Sequence, residues 1–394
     1  MIYIVCFLIS CSFFWLSEKC KSKSARNSFA IIAILIPCLL AGLRADTIGT
    51  DVKVYVEPMY NAAKESHSLS SYMNQRWLVI WRYMYVKDFE IGFSLMIFLI
   101  QKLGGSFAMV LFFIQLLIVT PIYIGLRKIY KLYPVYIGLR KIRKPYPVCF
   151  SMFVFYCMFY NTSLNMMRQW IAMAILFMAF SYLIARDKKK YCILTLGACL
   201  FHTSAIMGIA ILLVYIYCTK KREYIKVAIF KLNEAMAPIK IFIYGCGILL
   251  SLNIITVVLE HIGLSKYIGY IQGDNGLYLL PNQILLRLPI IILFVVRWKK
   301  ILKEDKLAPF YGSMLVLDLL TSQLMSINAY AFRIGSFFSE YNILSYSALV
   351  YVGNRKFKAK RYMTLLYVIT YMVYYWVFYY VIMGTHATFP YVFA

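Results

Sequence analysis

The chemistry of this chain must come from a few charged side chains that stand beside or inside apolar runs. The stretch Arg44-Ala-Asp46-Thr-Ile-Gly49-Thr50-Asp51, followed by Tyr55, gathers a guanidinium, two carboxylates, two threonines and a glycine. The glycine permits a tight turn, so Asp46 and Asp51 can converge on Arg44. That convergence is either a self-neutralising salt bridge at a helix exit or part of a site. In Asn161-x3-Asn165-Met-Met-Arg168-Gln169, Arg168 begins a helix, where a cation opposes the macrodipole. An arginine at membrane depth costs about 2.5–3.5 kcal/mol at helix centre. An anion must offset this, either a structural carboxylate or a diphosphate, whose oxygens fit the guanidinium fork. His202-Thr203-Ser204 offers an imidazole, a residue type that titrates near neutrality, as a packing group or as a general base toward a hydroxyl. Arg333 and Glu340, seven residues apart, are expected on one face of a helix with Phe337 and Phe338 between them. Arg287 and Asp318 are further partners, and a buried ion pair that fixes helix packing is the alternative reading.

Other chemistries lack their signatures. The sequence contains no G-x-x-x-x-G-K-[ST], no G-x-G-x-x-G, no H-E-x-x-H and no C-x-x-C. His67, His202, His261 and His386 are spaced too widely to nominate a metal site. Nearly all of the ten cysteines sit within or at the ends of apolar runs and read as small buried hydrophobes.

The elements that position these residues follow from composition. The 394 residues are 62% hydrophobic, 18% aromatic and 15% charged, with a mean hydropathy of +0.71. Such a balance excludes a soluble enzyme, a disordered chain and a disulfide scaffold. It indicates an all-α, polytopic integral membrane protein formed as one domain over residues 1–394. The formal net charge is +26, and most of its Lys and Arg cluster between apolar runs, around 19–26, 127–144, 186–190, 220–240, 297–306 and 355–361. Short basic loops stay cytoplasmic and attract anionic headgroups, so the charge reads as topology, with no nucleic acid as partner.

Residues 2–16 read as an uncleaved first span and 28–43 as a second that returns to the outer side. Residues 44–90 hold six basic and six acidic residues and read as a large extracytoplasmic loop with interfacial helices. The 89–103 run is short enough to be re-entrant. Residues 123–148 form a basic cytoplasmic loop containing a tandem repeat, YIGLRKIYKLYPV then YIGLRKIRKPYPV, read as a local duplication. A break at Asn161–Asn165 is expected to split 148–185 into two helices. Residues 191–218 must form a short hairpin with His202 near its apex. Further spans follow, an outer loop at 265–282 among them. About twelve transmembrane helices result, with short or re-entrant helices at the outer face and both termini outside.

Five motifs recur in order along most of the chain. They are Arg44-x-Asp46-Thr-x-Gly49-Thr50-Asp51-x3-Tyr55, Asn165-x2-Arg168-Gln169-x-Ile-Ala, Phe201-His202-x-Ser204-Ala, Arg333-x3-Phe337-Phe338 and Pro390-Tyr391. With them the sequence resembles the EpsG family of Wzy-type bacterial polysaccharide polymerases, and in length and composition it looks like an O-antigen polymerase of that family. The resemblance implies an inner-membrane, metal-independent glycosyltransferase with no cofactor. Its substrate would be an oligosaccharide unit on undecaprenyl diphosphate at the periplasmic side. The growing glycan would pass from its lipid carrier to the next lipid-linked unit. Arg168 and Arg333, with Arg44, would clamp the diphosphate; His202, or else Asp51 or Asp46, would take the acceptor proton. Tyr55, Asn165, Gln169, Arg287 and Glu340 complete the expected substrate contacts. The lipid bilayer, a chain-length regulator and a flippase are the implied partners. Two other classes compete: an O-antigen ligase, which shares the donor, and a flippase or other transporter, which should show two-fold internal symmetry that this sequence lacks. A non-catalytic scaffold of an export complex is a third.

Overall fold

The computed structural model describes residues 2–136, 147–219, 236–261, 277–327, 332–351 and 358–394. Residues 137–146 of the tandem repeat, the basic 220–235 stretch and residues 265–276 of the expected outer loop lie outside the described residues. The chain divides into two compact units, Met1–Gly208 with Met372–Ala394, and Ile209–Tyr371.

In the first unit, apolar runs form α1 (Ile2–Lys19) and α2 (Lys23–Gly42), which pack together. Pro37 inside α2 lacks the N–H that would bond the Ala33 carbonyl one turn earlier. The Ser10 hydroxyl of α1 donates to that carbonyl at 2.7 Å, so the helix continues past its proline without an orphaned acceptor. A loop and a five-residue wide turn at Val52–Val56 lead to α3 (Glu57–Glu65) and α4 (Leu69–Met73).

An antiparallel hairpin follows, β1 (Arg76–Val79) and β2 (Arg82–Tyr85), with Arg76 opposite Tyr85 and Val79 opposite Arg82. The all-α expectation did not include it. Trp77, Val79, Tyr83 and Tyr85 are strand-favouring types, and in a polar stretch with no helical apolar stripe that preference decides. Its two-residue turn holds Ile80 at φ 55°, a left-handed conformation rare for a β-branched residue.

Next come α5 (Ile91–Lys102), α6 (Phe107–Tyr136) and α7 (Val148–Phe155). From α7 the helix widens at Tyr156–Tyr160 and runs on through α8 (Asn161–Asn165). The break falls at Met166 (φ −82°, ψ 53°), after the asparagine pair and not across it. Asn161 does not compete for its own backbone, because its side chain is held elsewhere: Trp376 Nε1 donates to its Oδ1 at 2.9 Å, and its Nδ2 donates to Thr388 Oγ1 at 3.0 Å. The helix restarts as α9 (Met167–Ile184), the buried centre of the unit, against which α6 and α10 (Lys188–Cys199) pack. Ala172, Ala174 and Ala179 of α9 are fully buried, and α6 approaches it at Gly125, where a Cβ would lie 3.1 Å from Met178 Cα. After α10, a short turn at Thr203–Ile206 leads to α11 (Met207–Thr219), and His202 stands at the apex between these two short arms.

The second unit contains α12 (Ala237–His261), α13 (Pro281–Glu304), α14 (Ala308–Gln323), α15 (Phe332–Ser339) and α16 (Asn342–Tyr351). Arg333 lies in the first turn of α15, and Glu340 closes the same helix, its N–H donating four residues back to Ser336 O at 3.0 Å. Tyr341 N–H bonds back only three residues, to Phe338 O at 3.2 Å, and Ile343 N–H does the same to Glu340 O at 3.1 Å. This tightening ends α15 and re-aims the chain before α16. Glu340 is fully buried, and neither carboxyl oxygen has a hydrogen-bond partner among the described residues. Arg287 instead meets Asp318 at 3.0 Å, and Asn342 Nδ2 donates to the other oxygen of Asp318 at 3.4 Å.

The last long helix, α17 (Lys358–Trp376), widens at Val377–Ile382. Among the described residues, five helices are long and apolar enough to cross a membrane: Ile2–Lys19, Lys23–Gly42, Phe107–Leu132, Met167–Ile184 and Arg361–Ile382. Ile91–Lys102, Thr203–Thr219 and Ala237–Leu249 are apolar but shorter. At about 1.5 Å per residue, a 12-residue helix such as α5 covers little more than half of a ~30 Å hydrocarbon core.

Candidate functional site

The first unit draws five sequence segments together around the start of α9. Behind α2 the chain turns back on itself at Leu43–Gly49. Arg44 makes an antiparallel bridge with Phe393, flanked by Ala45 N–H to Val392 O at 2.9 Å and Ala394 N–H to Leu43 O at 3.0 Å. Gly49 has φ +86°, and a Cβ there would lie 2.7 Å from Leu164 O, so only glycine fits the turn. That turn delivers Thr50 and Asp51 to the end of α8. The Thr50 hydroxyl and the Asp51 N–H both donate to Asn165 Oδ1 at 3.0 Å. One turn further on, Tyr55 OH donates to Asp51 Oδ2 at 2.8 Å.

Arg168 lies in the first turn of α9. Its guanidinium is 4.9 Å from the Tyr55 ring centre and 4.6 Å from that of Phe89, and its Nη1 pairs directly with Glu90. The anion the sequence demands is therefore a carboxylate of the chain itself, at the start of α5. Both side chains are largely buried, 19% and 12% exposed. Burial works against the Glu90 charge, yet the Arg168 guanidinium and the Thr203 N–H outweigh it and hold the carboxyl below its ordinary pKa. Thr203 N–H donates to Glu90 Oε1 at 3.0 Å, and Gly92 N–H donates to Leu200 O at 2.8 Å. A Cβ on Gly92 would lie 2.7 Å from Leu200 O, so this glycine lets the α10–α11 apex dock on the start of α5.

His202 caps the turn that follows it. Ser204 N–H donates to His202 Nδ1 at 3.2 Å, and Ser204 Oγ lies 2.5 Å from the same nitrogen. A nitrogen that accepts from a backbone N–H carries no proton, so neutral His202 has its proton on Nε2.

The remaining residues expected from sequence are placed less centrally. Arg44 is only 2% exposed; its Nη2 approaches Met167 Sδ at 3.3 Å, and its Nε and Nη1 have no partner among the described residues. Burial lowers its pKa, with the nearby hydroxyls of Tyr160, Tyr3, Tyr391 and Tyr55 opposing that shift. Asp46 turns outward to Lys53 at 3.3 Å and does not converge on Arg44. Gln169 is buried, with Nε2 3.8 Å from Met173 Sδ. Arg287, Arg333 and Glu340 belong to the second unit.

Three participants escaped the sequence reading. Glu90 and Phe89 were visible only as the polar edge of a short apolar run. His386 lies where only the fold reveals its use: its Nδ1 is 3.2 Å from Asn165 Nδ2. The assembled site offers a cation held between two aromatic rings and a carboxylate, a second carboxylate held by a phenol, and an imidazole N–H donor. Such a set can neutralise a leaving anion and accept one proton.

No curated protein and no solved structure matches the chain. The family model of the EpsG family matches it over residues 27–393, nearly its whole length. The Arg44–Tyr55 loop, the start of α9 and the His202 turn all fall within that match, and the chain belongs to the EpsG family of Wzy-like polysaccharide polymerases.

Proposed function

We propose that this protein polymerises lipid-linked oligosaccharide units at the periplasmic side of the bacterial inner membrane, in surface polysaccharide or O-antigen synthesis. A hydroxyl of the incoming unit attacks the anomeric carbon of the growing glycan. The bond from that carbon to undecaprenyl diphosphate breaks, and the diphosphate leaves with the electron pair. Arg168 receives the developing charge, since a guanidinium held by Glu90 needs no reorganisation when the charge appears. Asp51 takes the hydroxyl proton. His202 is the weaker candidate for that role, because its Nδ1 lone pair is engaged by Ser204; its Nε2–H suits donation to a phosphate or sugar oxygen. Asp46, paired with Lys53 and open to solvent, is weaker still. Trp81, 94% exposed at the hairpin tip, and Tyr83 offer faces to the sugars. Arg287 and Arg333 are assigned no part in this step.

The observation that carries this reading is the Arg168–Glu90–Thr203 junction, in which an EpsG-family chain joins three distant segments around one buried guanidinium. The test is the surface polysaccharide of a deletion strain complemented with each variant at matched expression. Arg168→Ala and Asp51→Asn should leave single repeat units on the acceptor, where the wild type makes long chains. Long chains from both variants would remove Arg168 and Asp51 from the reaction, and long chains from the uncomplemented deletion strain would end the assignment. An acceptor left bare by the deletion would point to a ligase, and units trapped at the cytoplasmic side to a flippase.

A further inference from the structure

We propose that His386 is a positioning residue that holds Asp51 in place through Asn165. The inference rests on the assignment of Asp51 as proton acceptor and adds a residue to it. The hydrogen-bond polarity runs one way. A backbone N–H can only donate, so the Asp51 N–H, 3.0 Å away, identifies the Asn165 atom it meets as the amide oxygen. The Thr50 hydroxyl donates to the same oxygen at 3.0 Å. Asn165 Nδ2 therefore points away from Asp51, toward His386 Nδ1 at 3.2 Å. An NH2 group has no lone pair to offer, so His386 Nδ1 must be the acceptor, and its neutral ring carries the proton on Nε2.

His386 is fixed in its turn by the segment that bears it. Ala387 O accepts Gly49 N–H at 3.0 Å, and Thr388 O accepts Tyr3 OH at 2.6 Å. Thr388 Oγ1 accepts Asn161 Nδ2 at 3.0 Å. The rings of Tyr379 and Tyr380 lie 6.2 and 6.5 Å from the imidazole. One short stretch thus grips both sides of the Asp51 loop: its Gly49 turn by a main-chain bond, and its Asn165 support by the imidazole. Asn165 is 7% exposed, so without an acceptor its amide would keep a buried donor unsatisfied and turn to find another partner. Asp51 would follow it.

The experiment distinguishes the two ring nitrogens. Asn in place of His sets its amide oxygen where Nδ1 stands; Gln sets it one carbon further, near Nε2. Repeat-unit addition is measured in membranes with purified lipid-linked units for His386→Asn, His386→Gln and His386→Ala. Asp51→Asn is run beside them, and the melting temperature of each variant is recorded in detergent. His386→Asn should stay within about twofold of wild-type kcat. Gln and Ala should lose about tenfold in kcat with little change in KM, the size of one hydrogen bond to the transition-state machinery. Wild-type kcat in His386→Ala, or equal kcat in the Asn and Gln variants, overturns the inference. Should His386→Ala fail to accumulate, the Asn and Gln pair still decides. No repeat-unit addition by the wild-type membranes would instead overturn the polymerase assignment, and full activity in the Asp51→Asn control the proton-acceptor role on which the inference rests.

Discussion

Glu90 and Arg168, 78 positions apart in sequence, form a direct ion pair at the junction of α5 and α9. The pair is largely buried, so removing one partner leaves a charge with neither water nor a counter-ion. Glu90→Gln should lower stability by on the order of 3 kcal/mol, and the double variant Glu90→Gln/Arg168→Gln by less than the sum of the two singles. Melting of the detergent-solubilised protein reads both.

The same pair sets a pH dependence. The folded-state pKa of Glu90 lies below its unfolded value, so its contribution to stability is present above the ordinary carboxylate range, near pH 4.3. It is lost as pH falls through the lowered folded pKa. The melting temperature of wild type should therefore drop on acidification below about pH 4.3, and Glu90→Gln should drop less over the same interval. Equal slopes for the two proteins would show that Glu90 is not the titrating group.

Gly49→Ala meets two obstacles at once, the left-handed φ of +86° and Leu164 O 2.7 Å from the new Cβ. The expected cost is about 1–3 kcal/mol, together with loss of polymer length as Thr50 and Asp51 shift from Asn165. Both are read on the same preparations, by melting and by polysaccharide ladder.

In the second unit, Asp318→Asn should destabilise by about 1–3 kcal/mol, because Arg287 loses its carboxylate in a site where Asp318 is itself buried. Exchanging Glu340 for Gln should cost much less, since no hydrogen-bond partner among the described residues is lost. A larger effect from Glu340→Gln than from Asp318→Asn would reverse this ranking.

Trp81→Ala changes a side chain that is 94% exposed. Stability should move by no more than about 0.5 kcal/mol, while KM for the lipid-linked unit rises severalfold. An unchanged KM would remove the hairpin tip from the proposed glycan contacts.

Much of the architecture was legible along the chain. The apolar runs that become α1, α2, α6 and α9 stand out because burial in lipid demands long uninterrupted hydrophobicity. The Arg44–Tyr55 loop was visible through its glycine, although its two carboxylates diverge, Asp46 to Lys53 and Asp51 to Tyr55. Other expectations failed where packing overrode local pattern. The break expected at Asn161–Asn165 falls at Met166, because Thr388 and Trp376 engage the Asn161 side chain. The turn from α15 to α16 comes directly after Glu340, where three-residue hydrogen bonds at Tyr341 and Ile343 re-aim the chain.

Hydropathy and charge are sums along the sequence, so the sequence by itself determined the membrane character, the helical class and the identity of the few costly cations. Which group answers each cation is a matter of direction in space. Glu90 reaches Arg168, His386 reaches Asn165 across 221 positions, and Asp318 rather than Glu340 reaches Arg287. Those pairings depend on where helices stop and how their ends dock, and only the packed tertiary structure decides that.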